Sequence, residues 1–196
     1  MTTKRVTVAL LSLLMAISAR AETAAPPADA AVGKKVPKFT AKILDFAADP
    51  PRLADFDSTK VKKPTAYIFV GTTCPATNAY ADRFSELVRD YTPKGIDFVF
   101  LYPNSNDTAQ AKVDFHKQKN LRGRVIDDQG ASIAKLFGAQ RTTEIFLAKG
   151  DGTVVYHGPV DDSREVANVK QHYLTDALKE LQAHKPITVA SAAVFA

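Results

Sequence analysis

Phe69-Val70-Gly71-Thr72-Thr73-Cys74-Pro75-Ala76-Thr77 decides how this chain is read. Upstream, Thr65 to Gly71 (TAYIFVG) is a short, nearly continuous apolar run, the pattern of a central strand buried on both faces. Downstream, Pro75 to Tyr91 sets Ala79, Phe84, Leu87 and Val88 on one side and Arg83, Glu86 and Arg89 on the other, which predicts an amphipathic helix. Strand gives way to helix within a few residues, and Cys74 stands at the junction. The first N–H groups of a helix lack intrahelical partners, and its dipole is positive at that end, so a thiolate is favoured there. A lowered thiol pKa makes the reactive form available near neutral pH. Pro75 suits the first helical turn, where its missing N–H is no loss. Thr77, three residues on, can turn its hydroxyl back to donate to the sulfur. The competing reading makes Cys74 a small buried hydrophobe.

Outward from this junction the pattern stays α/β. Phe39 to Phe46 predicts a first strand or β-turn unit, and Asp49-Pro50-Pro51 a turn. Gly95 to Tyr102 (GIDFVFLY) is a second buried strand. Asn106 or Asp107 is positioned to cap a helix running to about Lys119. Arg124 to Ile126 is a short extended piece, and Ser132 to Phe137 a short helix stopped by Gly138. Thr143 to Ala148 and Thr153 to Tyr156 flank Lys149-Gly150-Asp151-Gly152, a hairpin signal. A last helix is expected from Val169 to Ala183, capped by Asn168 and ended by Pro186. Parallel strands joined by helices, then a hairpin and a covering helix, predict a mixed central sheet with helices on both faces.

The N-terminus reads as a leader rather than as fold. Lys4 and Arg5 precede an apolar run of 12 residues, Val6 to Ile17, and Ala19-Arg20-Ala21 supplies the small residues of a cleavage site. A bilayer-spanning helix needs roughly 20 apolar residues, so a retained anchor is disfavoured. No Cys follows the run to carry a lipid. The expected organisation is a signal peptide at 1–21, a flexible lead-in at 22–35, one domain at 36–186 and a tail at 187–196 that is left open between packing and fraying. Export to the periplasm or the medium follows, with no membrane contact once the leader is removed. Of the 196 residues, 45% are hydrophobic and 24% charged, an ordinary globular balance. Loss of Lys4, Arg5 and Arg20 takes the formal charge from +5 to +2. No Lys/Arg cluster interleaved with aromatics is present, which argues against a nucleic-acid partner. A single Cys cannot form an internal disulfide, so in an oxidising compartment it is either buried and inert or exposed and used.

These residues resemble the redoxin superfamily, of the alkyl hydroperoxide reductase/thiol-specific antioxidant type, and within it the exported peroxiredoxin-like and thioredoxin-like bacterial proteins. The resemblance runs from Val36-Pro37-Lys38-Phe39 to about Pro186. It takes in Thr72-Thr73-Cys74-Pro75, Tyr102-Pro103-Asn104, Gly138-Ala139-Gln140-Arg141-Thr142-Thr143-Glu144, Tyr156-His157-Gly158 and Asp161-Asp162. It implies a thioredoxin-like fold, with Cys74 at the position of the attacking cysteine. It also sets Arg141, Thr142 and Thr143 on the loop facing that cysteine, with Thr73 and Pro75 flanking it where substrate docks.

The departures are as informative. Thr77 stands where thioredoxins carry the resolving Cys, so no dithiol cycle is available inside the chain. Gly71 and Tyr67 stand where the peroxiredoxin motif has Thr and Pro. Ile68 stands where thioredoxins keep a buried carboxylate that accepts a proton. Thr143 takes the place of the cis-Pro, and a trans peptide is expected there because non-proline cis bonds are costly. A Cys-x-x-Thr arrangement also occurs in glutathione peroxidases, but their partner Trp is absent here.

Arg141 would sit near Cys74 and stabilise its thiolate or an incoming peroxide or acid, and Glu144 would pair with Arg141. The alternative for Arg141 is a surface loop cation. His116 and His172 fall at polar helix positions, His184 ends the last helix, and His157 follows the hairpin; none has metal-ligand spacing. No metal or cofactor is expected. The sequence therefore predicts an exported monothiol redox protein in which Cys74 is the nucleophile, assisted by Thr77 and Arg141. Its partner would be a thiol- or disulfide-bearing protein or a small-molecule thiol, with peroxide as a second candidate substrate. The rival from another class is a binding module that kept the fold and lost turnover, which Ile68, Thr77 and Thr143 favour.

Overall fold

Strand β3 (Thr65–Phe69) is the pivot of the molecule, and all five of its residues are buried. The structure, a computed structural model, describes residues 31–194; the leader read at 1–21 lies outside them. Side chains alternate across a strand, and β3 splits accordingly. Ala66, Ile68 and Val70 join one core with Tyr80, Phe84, Leu87 and Val88. Tyr67 and Phe69 join a second core with Ile133, Ala134 and Phe137 on the opposite face. Each such apolar side chain contributes roughly 1.5–3 kcal/mol on burial, and a strand loaded on both sides is fixed in register.

The order is β1 (Thr40–Asp45), β2 (Arg52–Asp57), β3, α1 (Pro75–Tyr91), β4 (Asp97–Tyr102), α2 (Ala109–Gln118), β5 (Arg124–Asp127), α3 (Ser132–Phe137), β6 (Ile145–Ala148), β7 (Val154–Gly158) and α4 (Tyr173–Gln182). The seven strands form one mixed sheet, ordered β2-β1-β5-β4-β3-β6-β7. The β3–β4 and β4–β5 pairs are parallel, and the others antiparallel. Helices α1, α2 and α4 supply Phe84, Phe115 and Leu178 to one core, and α3 supplies Phe137 to the other. The expected α/β architecture, a mixed sheet with helices on both faces, is what forms.

The local differences have physical causes. β2 is absent from the sequence reading because its alternation is Arg52, Leu53, Ala54, Asp55, Phe56, Asp57, with only Phe56 buried. Ala79 lies on the exposed side of α1, whose buried face is completed by Tyr80 and Tyr91. α2 is capped by Thr108, whose hydroxyl accepts from the Ala111 N–H, not by Asn106 or Asp107. α4 starts at Tyr173; Val166–Asn168 is a separate 3-10 turn and Asn168 caps nothing. His172 precedes α4, and His116 is buried rather than on a polar face. Lys35 forms a β-bridge with Thr153, and Gly33 N–H donates to the Val154 carbonyl, so the end of the expected lead-in is held against the hairpin. The tail packs: Ala190 and Ala192 pair with His157 along the edge of β7.

Candidate active site

Two parallel strands, β3 and β4, end side by side, and the loops leaving their C-terminal ends carry the site, where open α/β sheets place their ligands. Cys74 occupies the N-cap of α1 in an extended conformation, and Pro75 is the first helical residue. The Cys74 carbonyl accepts the first helical bond from the Asn78 N–H at 3.0 Å. The thiol is half-buried.

The facing loop is fastened to the end of β3. Thr143 N–H donates to the Phe69 carbonyl at 2.6 Å, and Phe69 N–H to the Glu144 carbonyl at 3.0 Å. Thr143 adopts φ 65°, a left-handed conformation that costs a β-branched residue about 1–2 kcal/mol. Buried Glu144 offsets that cost: its Oε2 accepts from the N–H groups of Gln140 (2.8 Å) and Arg141 (3.0 Å). Its Oε1 lies 2.7 Å from His157 Nε2, and the His157 ring stacks on Phe146. Burial pushes the Glu144 carboxyl up, but His157 and the two backbone donors outweigh it and hold it below the usual range. The consequence is positional: Thr142 is delivered above Cys74, its Oγ1 2.8 Å from Sγ.

Burial is the largest single influence on the Cys74 thiol and pushes it up. Opposing it are the Thr142 hydroxyl, 2.8 Å from the sulfur, and the Thr77 hydroxyl and the Thr77 and Ala76 N–H groups at the start of α1. Together they win, and the thiol pKa falls below its ordinary value. Thr77 is fully buried; its oxygen accepts from the Gly71 N–H at 3.2 Å, which leaves its own proton for the sulfur.

Of the site residues predicted from sequence, Cys74, Thr77, Thr142 and Thr143 come together, with Thr73 and Pro75 exposed on either side of the thiol. Arg141 does not join them. Its side chain is exposed and its guanidinium reaches the Val194 carbonyl in the tail, at 3.4 Å. Glu144 pairs with His157 rather than with the Arg141 side chain. Ile68 is completely buried in apolar surroundings. Among the described residues the one cis peptide is Asp49–Pro50, so Thr143 follows a trans bond. No group of three or more His, Cys, Asp or Glu converges to hold a metal ion, again among the described residues.

Sequence reasoning missed Asp107. Its carboxylate is buried, and Oδ1 accepts from the Thr72 N–H (3.0 Å) and in a shorter contact from the Thr72 hydroxyl. Gly71, beside it, makes room for Asn104: a Cβ there would lie 2.4 Å from Asn104 Nδ2, while Asp107 Oδ2 at 3.4 Å and the Cys74 Cβ at 3.6 Å would be in ordinary contact. The available signal was an Asp just beyond the C-terminal end of a parallel strand adjoining the cysteine's strand.

With this geometry in place, similarity to known proteins is informative. The Redoxin family model matches residues 31–173. Thiol-disulfide oxidoreductase ResA of Bacillus thuringiensis subsp. konkukian is 28% identical over 134 residues, 68% of this chain and 73% of that protein, and the Bacillus cereus ResA matches equally. An uncharacterised protein of Geobacillus kaustophilus superposes with a TM-score of 0.70 at 23% identity, covering 82% of this chain and 86% of that one. The 2-Cys peroxiredoxin of Plasmodium vivax superposes with a TM-score of 0.60 at 15% identity, covering 80% and 84%. At those identities the structural likenesses speak for the shared fold, while the family match spans most of the chain. The chain belongs to the redoxin family.

Proposed function

We propose that this protein is an exported monothiol redox protein whose Cys74 thiolate attacks a disulfide, or a peroxide, and is released by an external thiol. One observation carries the reading: the lone cysteine heads α1 with the Thr142 hydroxyl 2.8 Å from its sulfur, and the polar groups around that sulfur outweigh its burial. Kinship to thiol-disulfide oxidoreductases supports thiol or disulfide-bearing partners. In the first step the Cys74 sulfur forms a bond to one sulfur of a substrate disulfide, and the other sulfur leaves as thiolate. A second thiol then attacks the mixed disulfide and Cys74 leaves as the stabilised thiolate. With peroxide the product on Cys74 is a sulfenic acid, which a thiol converts to a mixed disulfide with loss of water. Thr77 holds the resolving position, so the second thiol comes from outside the chain. The leader at 1–21 supports export.

Mass spectrometry of Cys74 after substoichiometric peroxide and, separately, oxidised glutathione tests this reading. The expected products are a sulfenic acid and a glutathione adduct; an unmodified thiol in both arms overturns it. A second reading, a binding module without turnover, is favoured by Ile68, which leaves the usual carboxylate position apolar. The two part on catalysis: turnover of a mixed disulfide by added thiol belongs only to the first.

A further inference from the structure

Resolving a mixed disulfide requires the incoming thiol to lose a proton, because the thiolate is the nucleophile. Ile68 offers no acceptor for it. Asp107 does. Asp107 is 1% exposed, and its buried Oδ2 has no hydrogen-bond partner among the described residues. Such an atom is costly to leave unpaired and is rare without a reason. Oδ2 lies at the Gly71 turn, where a Cβ built on Gly71 would be 3.4 Å from it and 3.6 Å from the Cys74 Cβ. The Tyr102 hydroxyl is committed elsewhere. His116 Nδ1–H donates to the Leu121 carbonyl (2.8 Å), so its Nε2 accepts from Tyr102 (2.9 Å). Lys112, on α2, is held 2.8 Å from Asp127. Thr72 bridges the carboxylate to the surface: it is half-buried, two residues before Cys74, and both its N–H and its hydroxyl donate to Oδ1.

We propose that Thr72 and Asp107 form a proton relay serving the external thiol that resolves Cys74, an inference that rests on the redox reading above. The sulfur of the incoming thiol attacks the substrate-side sulfur of the mixed disulfide. A new disulfide bond forms there, the bond to Cys74 Sγ breaks, and Cys74 departs with the electron pair. The incoming thiol is oxidised and Cys74 is reduced. The thiol proton passes to the Thr72 oxygen as the Thr72 hydroxyl proton passes to Asp107, and the proton on Asp107 returns to water by the reverse route through Thr72 once the products have left. Thr72 touches the reacting thiol; Asp107 acts through it and is a positioning residue.

The test uses the full chain carrying a glutathione mixed disulfide on Cys74, treated with excess glutathione and followed across pH by mass spectrometry as the free Cys74 thiol returns. Wild type should outpace the rate set by the free thiolate alone under mildly acidic conditions. D107N and T72V should be slower there by about a hundredfold, the low end of general-base effects, and should converge on wild type in alkali. T72S, which keeps the hydroxyl, should retain the wild-type profile. Equal rates at all pH values, or slowing that is the same at every pH, overturns the relay. If D107N fails to fold, the T72V and T72S pair decides by the same criterion. Failure of the underlying reading looks different: wild type would not form the mixed disulfide, and its alkylation would show no inflection below that of an ordinary thiol.

Discussion

Replacing Thr142 by Val removes one oxygen and keeps the shape of the side chain, so it isolates the contact above the sulfur. With Cys74 as thiolate the hydroxyl must donate, and at 2.8 Å the bond is short for a sulfur acceptor. Hydrogen bonds to charged groups are worth about 1.5–3 kcal/mol. The site is half-open to water, which calls for the low end, and ~1.4 kcal/mol is tenfold in an equilibrium. Thr142→Val should therefore raise the thiol pKa and cut the thiolate population near neutral pH by about tenfold. Intrinsic nucleophilicity rises as a thiol becomes more basic, with a Brønsted slope of about 0.4–0.5, so the alkylation rate should fall by only about threefold. Ultraviolet thiolate absorbance against pH reads the first quantity and iodoacetamide kinetics the second. An unchanged titration would mean that Thr142 does not donate to the thiolate, and the explanation of the lowered pKa would lose its leading contribution.

Thr77→Val should also raise the thiol pKa, and unlike Thr142→Val it should destabilise the fold by about 1–3 kcal/mol in denaturant titration. The cause is the Gly71 N–H, whose acceptor disappears in a buried place. His116 predicts a pH dependence of stability. Burial takes its pKa from 6.5 to about 4. As pH falls through about 6.5 the unfolded chain takes up a proton that the folded chain refuses. Stability attributable to this residue should therefore drop progressively down to about pH 4, by roughly 3 kcal/mol in all. His116→Gln should flatten that part of the stability profile relative to wild type; an identical slope would show that the histidine is not what sets it.

Local patterns reveal this chain wherever burial is symmetric or periodic. TAYIFVG reads as a central strand because β3 is covered on both faces, and α1 reads as a helix because its buried face repeats at helical spacing. β2 escapes notice because an edge strand with Leu53 exposed carries too little apolar alternation. Val169 looks like the start of α4 because it is apolar, yet the chain is still extended there and helix begins at Tyr173. Asp107 is the instructive case. An Asp just before a helical stretch reads as a cap, and the neighbouring Thr108 takes that role, freeing Asp107 to face a partner 35 residues away in sequence. Likewise Glu144 finds His157 across the hairpin instead of its near neighbour Arg141. Pairings made by the tertiary fold leave no periodic trace, so Cys74 and Thr77 were visible in advance while Asp107 and the Glu144–His157 brace were not.

Redox chemistry in this chain requires the Cys74 thiol to be poised as a nucleophile, and the pH dependence of its alkylation by iodoacetamide measures that most directly. With only one cysteine in the chain, the signal belongs to Cys74 without ambiguity. The hydrogen bonds to its sulfur predict an inflection clearly below ~8.5, the value of an unperturbed thiol. An inflection at or above that value, or a thiol that alkylates only on unfolding, would contradict the account and leave Cys74 as the buried structural cysteine of a fold without redox chemistry.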